Sequence, residues 1–231
     1  MTVDANRVSV AALIPCYYEE KQIRDVATRT KAQVDTVLVV DDGSVDKTTE
    51  EARAAGVSVV KHQKNQGKGA AIKTGLRELT TRSGVEWVLI LDGDGQHLPE
   101  EIPHFFDEAN RTGADMVVGS RMDDTREMPF VRKMTNLTMS GLISSIIGQR
   151  VPDTQCGFRM FRRDLAAAFL DVQSSNFDFE SEMLVIAARR GVKIAAARVS
   201  TVYGDEVSKI HPVRDTVRFI KLLRRLKRER R

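Results

Sequence analysis

Cysteine is almost absent from this chain of 231 residues: Cys16 and Cys156 are the only two, and they lie far apart. That leaves no disulfide framework and no cysteine zinc site, and two free thiols fit a reducing compartment. Long apolar runs are also missing. No stretch approaches the roughly 20 apolar residues that span a bilayer, and residues 1–7 are too polar for a secretory leader. The expected location is therefore cytoplasmic. Internal repeats, low-complexity tracts and linkers are absent too, so one domain is expected. What is present, 42% hydrophobic and 29% charged residues, suits an ordinary globular α/β core. The net charge of +4 is unevenly spread. Residues 214–231 hold nine of the 36 Lys and Arg and two of the 32 Asp and Glu, which leaves everything before them at −3. The basic excess belongs to a tail, and no nucleic-acid partner is implied.

The first 120 residues alternate short β-branched runs with helical patterns. Strands are expected at 8–14, 36–40, 57–60, 87–91 and 115–119, with helices at 19–33, 46–54, 67–79 and 99–109. Such alternation predicts a mostly parallel sheet with helices on both faces. The rhythm then breaks over the polar residues 120–131. Helices are expected at 132–147 and 179–190, and strands at 159–161 and 194–199. Residues 201–212 read as a loop, and 215–228 as a helix with Val217, Ile220, Leu223 and Leu226 at spacing three.

Chemistry-bearing residues gather at the expected carboxyl ends of the strands, where open α/β sheets collect ligands. Asp92 and Asp94, in Leu91-Asp92-Gly93-Asp94-Gly95-Gln96-His97, repel one another unless a cation joins them. An EF-hand is excluded, because the twelfth position of such a loop is Pro103 rather than glutamate. Asp41-Asp42-Gly43-Ser44 forms a second acidic strand end. Helix capping accounts for Ser44 or Asp46 but leaves Asp41 unexplained. Gly67-Lys68-Gly69 offers amides, a helix dipole and a cation to an anion such as a diphosphate, without Walker A spacing. Pro15 reads as the end of the first strand. Tyr17 and Glu19 could stack on a base and accept from its edge, or simply open a helix with favourable charge. Arg121 and Arg132 could hold a phosphate or form salt bridges. Asp153, Glu180 and Glu182 add carboxylates that could act as acid, base or acceptor-binding groups, the last two reading equally as helix-surface charge.

In order and spacing, these segments across residues 13–210 resemble family 2 glycosyltransferases, closest to the branch of dolichol-phosphate mannose synthase and polyprenyl-phosphate glycosyltransferases. The resemblance implies a GT-A fold, a Rossmann-like three-layer sandwich with a mostly parallel central sheet, over 1–212, and a C-terminal helical extension over 213–231. It implies a nucleotide-diphosphosugar donor, with Pro15, Tyr17, Glu19 and Asp42 around the base and Lys68 near the nucleotide. Asp92, Asp94 and Gln96 would hold Mg2+ or Mn2+ against the diphosphate. The implied acceptor is a lipid phosphate held by Arg121 and Arg132, attacking with inversion, and Asp153 would act as base or orienting group.

Two departures accompany the resemblance. Tyr203-Gly204-Asp205-Glu206-Val207-Ser208-Lys209 keeps the Ser-Lys end of a loop that closes over the diphosphate but lacks an upstream arginine, so closure falls to Lys209. The C-terminal transmembrane helices of many bacterial members are also missing. Helix 215–231 could replace them on an anionic membrane surface through Arg218, Lys221, Arg225 and Arg228, peripheral on the inner face, or could pack on the domain. Other readings are a soluble sugar, protein or small-molecule acceptor, and a catalytically silent nucleotide-binding or membrane-docked partner.

Overall fold

Val10–Cys16 (β1) is an unbroken apolar run, buried along its whole length. A strand with no polar face belongs in the middle of a sheet covered on both sides. In the computed structural model, which describes residues 9–123, 125, 128–174, 178–202, 222 and 225, β1 is central in just this way. It pairs in parallel with Thr36–Asp41 (β2) on one side and Trp87–Ile90 (β4) on the other. Ser58–Lys61 (β3) adds to β2 in parallel. The remaining strands are Met116–Ser120 (β5), Arg159–Arg162 (β6) and Ile194–Arg198 (β7). The sheet order is β3-β2-β1-β4-β6-β5-β7. Among the described strands only β6 is antiparallel, slotted between β4 and β5.

Helices cover both faces, giving the expected three layers. Ile23–Gln33 (α1) packs against Thr48–Ala54 (α2) and a 3-10 turn at Pro99–Glu101, which leads into Ile102–Thr112 (α4) against β5 and β7. On the other face Lys68–Thr80 (α3) lies on β1 and β2 and meets Leu165–Leu170 (α6) and Asp178–Arg189 (α7). Phe130–Ile147 (α5) packs on α7. Among the described residues, no helix is long and apolar enough to cross a membrane.

Several boundaries depart from expectation for identifiable reasons. β1 does not stop before Pro15 but continues to Cys16. Leu13 accepts a bond from Leu91 on the β4 side and Cys16 accepts one from Asp42 on the β2 side. Alternation therefore aims Pro15 towards β4, whose pairing has already ended at Leu13, so its missing N–H costs nothing. α1 starts at Ile23 because Gln22 and Ile23 first close a turn on the Glu19 carbonyl. The expected helix from 99 is split after its 3-10 turn, and α6 had no counterpart in the expected elements. The expected loop and helix beyond 202 lie outside the described residues, except for Leu222 and Arg225. Both are helical, and Leu222 is only 3% exposed. Arg225 bonds to Gln173, Ser174 and Glu182, so it faces the domain rather than lipid.

Candidate functional site

Parallel strands point their carboxyl ends to one edge, and there β1, β2, β4 and β5 release their chemistry-bearing loops. Asp41 proves structural. Its buried carboxylate accepts from the Ser44 amide (2.9 Å) and hydroxyl (2.5 Å), and from the Thr49 hydroxyl at the start of α2. Asp42 holds the next turn: it accepts from the amides of Gln66 (2.9 Å) and Gly67 (2.8 Å), and His62 Nδ1 lies 2.7 Å away. A carboxylate only accepts, so His62 carries a proton on Nδ1, and its Nε2 lies 2.9 Å from the Thr74 hydroxyl. Gly43, at φ 82°, makes this turn possible, since a Cβ there would sit 2.5 Å from the Lys64 carbonyl carbon. Asp42 thus fixes the glycine turn that opens α3.

The segment after β1 is fastened to the same turn. Tyr18 donates its amide to Ser44 and Glu19 donates its amide to Thr48, both at 2.9 Å. Tyr17 is half-buried, its ring centroid 4.4 Å from that of Tyr18. Pro15, Tyr17, Glu19 and Asp42 are therefore neighbours on one rim.

Lys68, the first residue of α3, reaches into the loop after β4. Its Nζ lies 2.6 Å from Asp92 Oδ1 and 2.8 Å from Glu180 Oε1. Burial favours its neutral form, but Asp92 and Glu180 outweigh that and raise its pKa. Burial likewise opposes ionisation of Asp92, and Lys68 with His97 overrides it, holding the carboxyl well below the usual range. His97 Nε2 is 3.7 Å from Asp92, an electrostatic neighbour rather than a hydrogen bond. Gly157 permits the crowding, because a Cβ there would lie 2.6 Å from Asp92 Oδ2. Among the described residues Asp94 forms no ion pair of its own. Burial and then the charge of Asp92 push its pKa up, against one bond from the Gln96 amide at 3.0 Å. A carboxylate held in that state gains most from a divalent ion.

Among the described residues no three His, Cys, Asp or Glu side chains form a metal cage. Two adjacent carboxylates nevertheless fit a hard ion that binds through one or two protein oxygens and completes its shell with water and phosphate oxygens. Gln96 is half-buried beside them.

A second cluster forms where β5 ends. Arg121 grips Asp153 with Nε at 2.7 Å and Nη2 at 3.0 Å, and both are buried. The amides of Arg121 and Gln155 also donate to that carboxylate. With both oxygens engaged, Asp153 is placed to orient Arg121. The 154–157 turn is clamped by Arg159, fully buried, which donates to the carbonyls of Cys156 and Thr154 at 2.8 Å and to that of Glu180. Burial pushes the Cys156 thiol up to about 12, which removes it as a nucleophile. From α5, Ser140 accepts the Thr154 amide at 2.9 Å. One turn earlier on that face is Asn136, buried, its Nδ2 without a hydrogen-bond partner among the described residues. Arg132 lies a further turn towards the helix start, half-buried. Lys209 falls outside the described residues.

Reading Glu180 and Glu182 as surface charge fails. Both are buried on α7. Glu180 joins Lys68, and Glu182 accepts from Gln173 and Ser174 (amides at 3.1 Å, hydroxyl at 2.6 Å) and from Arg225. Burial alone would raise the pKa of Glu182, but the Ser174 and Gln173 donors and Arg225 bring it below the ordinary 4.5. A depressed carboxyl contributes stability that is fully present above its ordinary value and lost as pH falls through the folded one. Glu182→Gln should therefore weaken the protein at pH 7 and flatten the acid-side loss, as read by urea denaturation at pH 7 and about pH 3.5. An acid limb as steep as that of the unaltered protein would reject this role.

Residues 11–170 match the model of glycosyl transferase family 2. The chain is 30% identical over 215 residues to a UDP-N-acetylglucosamine–dolichyl-phosphate N-acetylglucosaminyltransferase of Methanococcus voltae, covering 84% of this chain and 85% of the relative. It is 34% identical over 230 residues to the glycosyltransferase AglJ of Haloferax volcanii, covering 95% and 72%. Among solved structures, glucosyl-3-phosphoglycerate synthase of Mycobacterium tuberculosis, in complex with Mn2+, UDP and glucosyl-3-phosphoglycerate, superposes with a TM-score of 0.70 at 18% identity. That match covers 96% of this chain and 79% of the other, a likeness of fold.

Proposed function

The chain belongs to glycosyltransferase family 2, and from that membership we propose that it moves a sugar from a nucleotide diphosphate to a polyprenyl phosphate with inversion at the anomeric carbon. The observation that carries this reading is the pairing of two differently tuned clusters at one sheet edge. Asp92, Asp94 and Lys68 suit a diphosphate with its ion, while Arg121, Arg132 and Asn136 suit a second phosphate. The names of relatives acting on dolichyl phosphate point to the same acceptor class.

The rim of Pro15, Tyr17, Glu19 and Asp42 takes the base and ribose, and the glycine turn with the α3 start faces the diphosphate. Asp92, Asp94 and Gln96 would hold Mg2+ or Mn2+, which supplies charge neutralisation for the departing nucleoside diphosphate. Lys68 adds a fixed cation beside it. Arg121, oriented by Asp153, and Arg132 hold the acceptor phosphate, with Asn136 donating to one of its oxygens. An acceptor oxygen forms the new bond to the anomeric carbon, and the electron pair of the broken bond leaves with the diphosphate. A phosphate is already ionised at neutral pH, so the step needs no strong base.

The test uses purified protein, labelled uridine and guanosine diphosphate sugars, Mg2+ or Mn2+, and polyprenyl phosphate in detergent. Label should pass into the organic phase with one donor, and chelation of the ion should stop it. Label that stays only in water-soluble product overturns the lipid acceptor, and no transfer from any donor overturns the whole reading.

A further inference from the structure

Among the described residues, Tyr18 is the one non-glycine residue with a positive φ, at 56°. A left-handed backbone crowds the Cβ of an L-residue, so the position suits glycine, asparagine or aspartate and strains a tyrosine. Such strain persists only where the surroundings over-determine it. Here they do. The Tyr18 amide donates to Ser44 Oγ and the next amide, of Glu19, to Thr48 Oγ1, both at 2.9 Å. Ser44 is held in turn by buried Asp41, which accepts its hydroxyl at 2.5 Å and its amide at 2.9 Å. Asp46 fixes the Thr48 hydroxyl at 2.6 Å.

These bonds reach only the backbone of residue 18, and asparagine would satisfy them without strain. The reason for a tyrosine therefore lies in its ring. As a packing group that ring does little: it is 43% exposed and meets Tyr17 at an interplanar angle of 65°, with centroids 4.4 Å apart. On the facing turn, Val45 follows Ser44 and is 84% exposed. Two tilted aromatic rings and an apolar side chain make a corner for a flat, apolar-faced ligand. Asp42 ties this rim to the glycine turn of α3, through the amides of Gln66 and Gly67. A molecule whose diphosphate lies at that turn carries one such flat group, its nucleobase.

We propose that Tyr18 is a further donor-binding residue, its ring stacking on the nucleobase and its left-handed backbone setting the ring at the rim. The proposal rests on the nucleotide-donor reading of the same rim. It also gives Asp41 and Ser44 a purpose: they hold the strained turn before a ligand arrives, so little ordering is left for the binding step.

Calorimetric titration of the full chain in Mg2+, with UDP, GDP and inorganic diphosphate as probes, tests this on the parent, Tyr18→Phe and Tyr18→Asn. Tyr18→Asn keeps the backbone and removes the ring. It should weaken binding of the better nucleotide about tenfold or more and leave inorganic diphosphate, which has no base, unaffected. Its melting point should equal or exceed the parent's, because the strain is relieved. Tyr18→Phe should bind like the parent. A Tyr18→Asn protein that binds the nucleotide as well as the parent overturns the proposal. So does equal weakening towards inorganic diphosphate, or a lower melting point, since either makes the residue a support of the rim. A parent that binds neither nucleotide refutes the donor reading and this proposal with it. The expected pattern without any sugar transfer keeps Tyr18 at the base and refutes the transfer alone.

Discussion

Asp94→Asn is expected to cut sugar transfer by roughly a thousandfold while leaving the metal-free protein as stable as before or more so. An ion that neutralises the leaving diphosphate is worth several kcal/mol in the transition state, and each tenfold in rate is about 1.4 kcal/mol. Asp94 is the carboxylate that burial and Asp92 already make reluctant to ionise, so removing its charge relieves repulsion in the empty site. Asp92 differs, because Lys68 pairs with it in place at 2.6 Å. The loss should thus come with a vanished thermal shift on adding Mn2+, not with a lower melting point. Initial rates over a Mn2+ titration and melting curves with and without the ion check both halves. Metal-dependent turnover that survives in Asp94→Asn would remove it from the site.

The largest stability effect is expected from Asp153→Ala. It removes the two-pronged carboxylate partner of the buried Arg121 guanidinium. Breaking a buried pair from one side costs about 3–5 kcal/mol, which for a chain of this size lowers the melting point by roughly 6–20 °C. Replacing both, as Arg121→Met with Asp153→Leu, should recover most of the stability and none of the transfer. Asp153→Asn separates orientation from base chemistry. As an orienting group, Asp153 can lose its charge without changing the shape of the pH–rate profile. Loss of the acid limb would make it the base after all. Denaturant unfolding of the three variants and the pH–rate profile of Asp153→Asn decide the matter.

Much of this was legible from local pattern. Apolar runs located the seven strands, and placing Asp41–Asp42 and Asp92–Asp94 just after two of them located the site edge. Long-range partners were not legible. Asp41 had no role until the fold brought Thr49 back to it alongside Ser44. Arg159 entered only as the first residue of an expected strand, yet it is fully buried because three carbonyls from two segments converge on it. Glu180 and Glu182 sit two apart on a helix and so point different ways, which suggests solvent for at least one. α7 instead packs against α3, α5 and α6, and each carboxylate meets a cation from elsewhere in the chain. α6 is too short and capless to announce itself. Pro15 misled because a proline's cost in a strand depends on which neighbour its nitrogen faces.

The antiparallel β6 strand also sets a hazard during synthesis. β1 to β4 form a contiguous half-sheet early in the chain, but its inner border is the apolar strand Trp87–Ile90, whose partner is Arg159–Arg162. A ribosome adding about 5–20 residues per second leaves that border unpaired for several seconds. Through that interval the nascent chain presents an open strand edge able to template pairing with another copy. Slowing the ribosome between codons 91 and 162 should therefore increase the aggregated fraction.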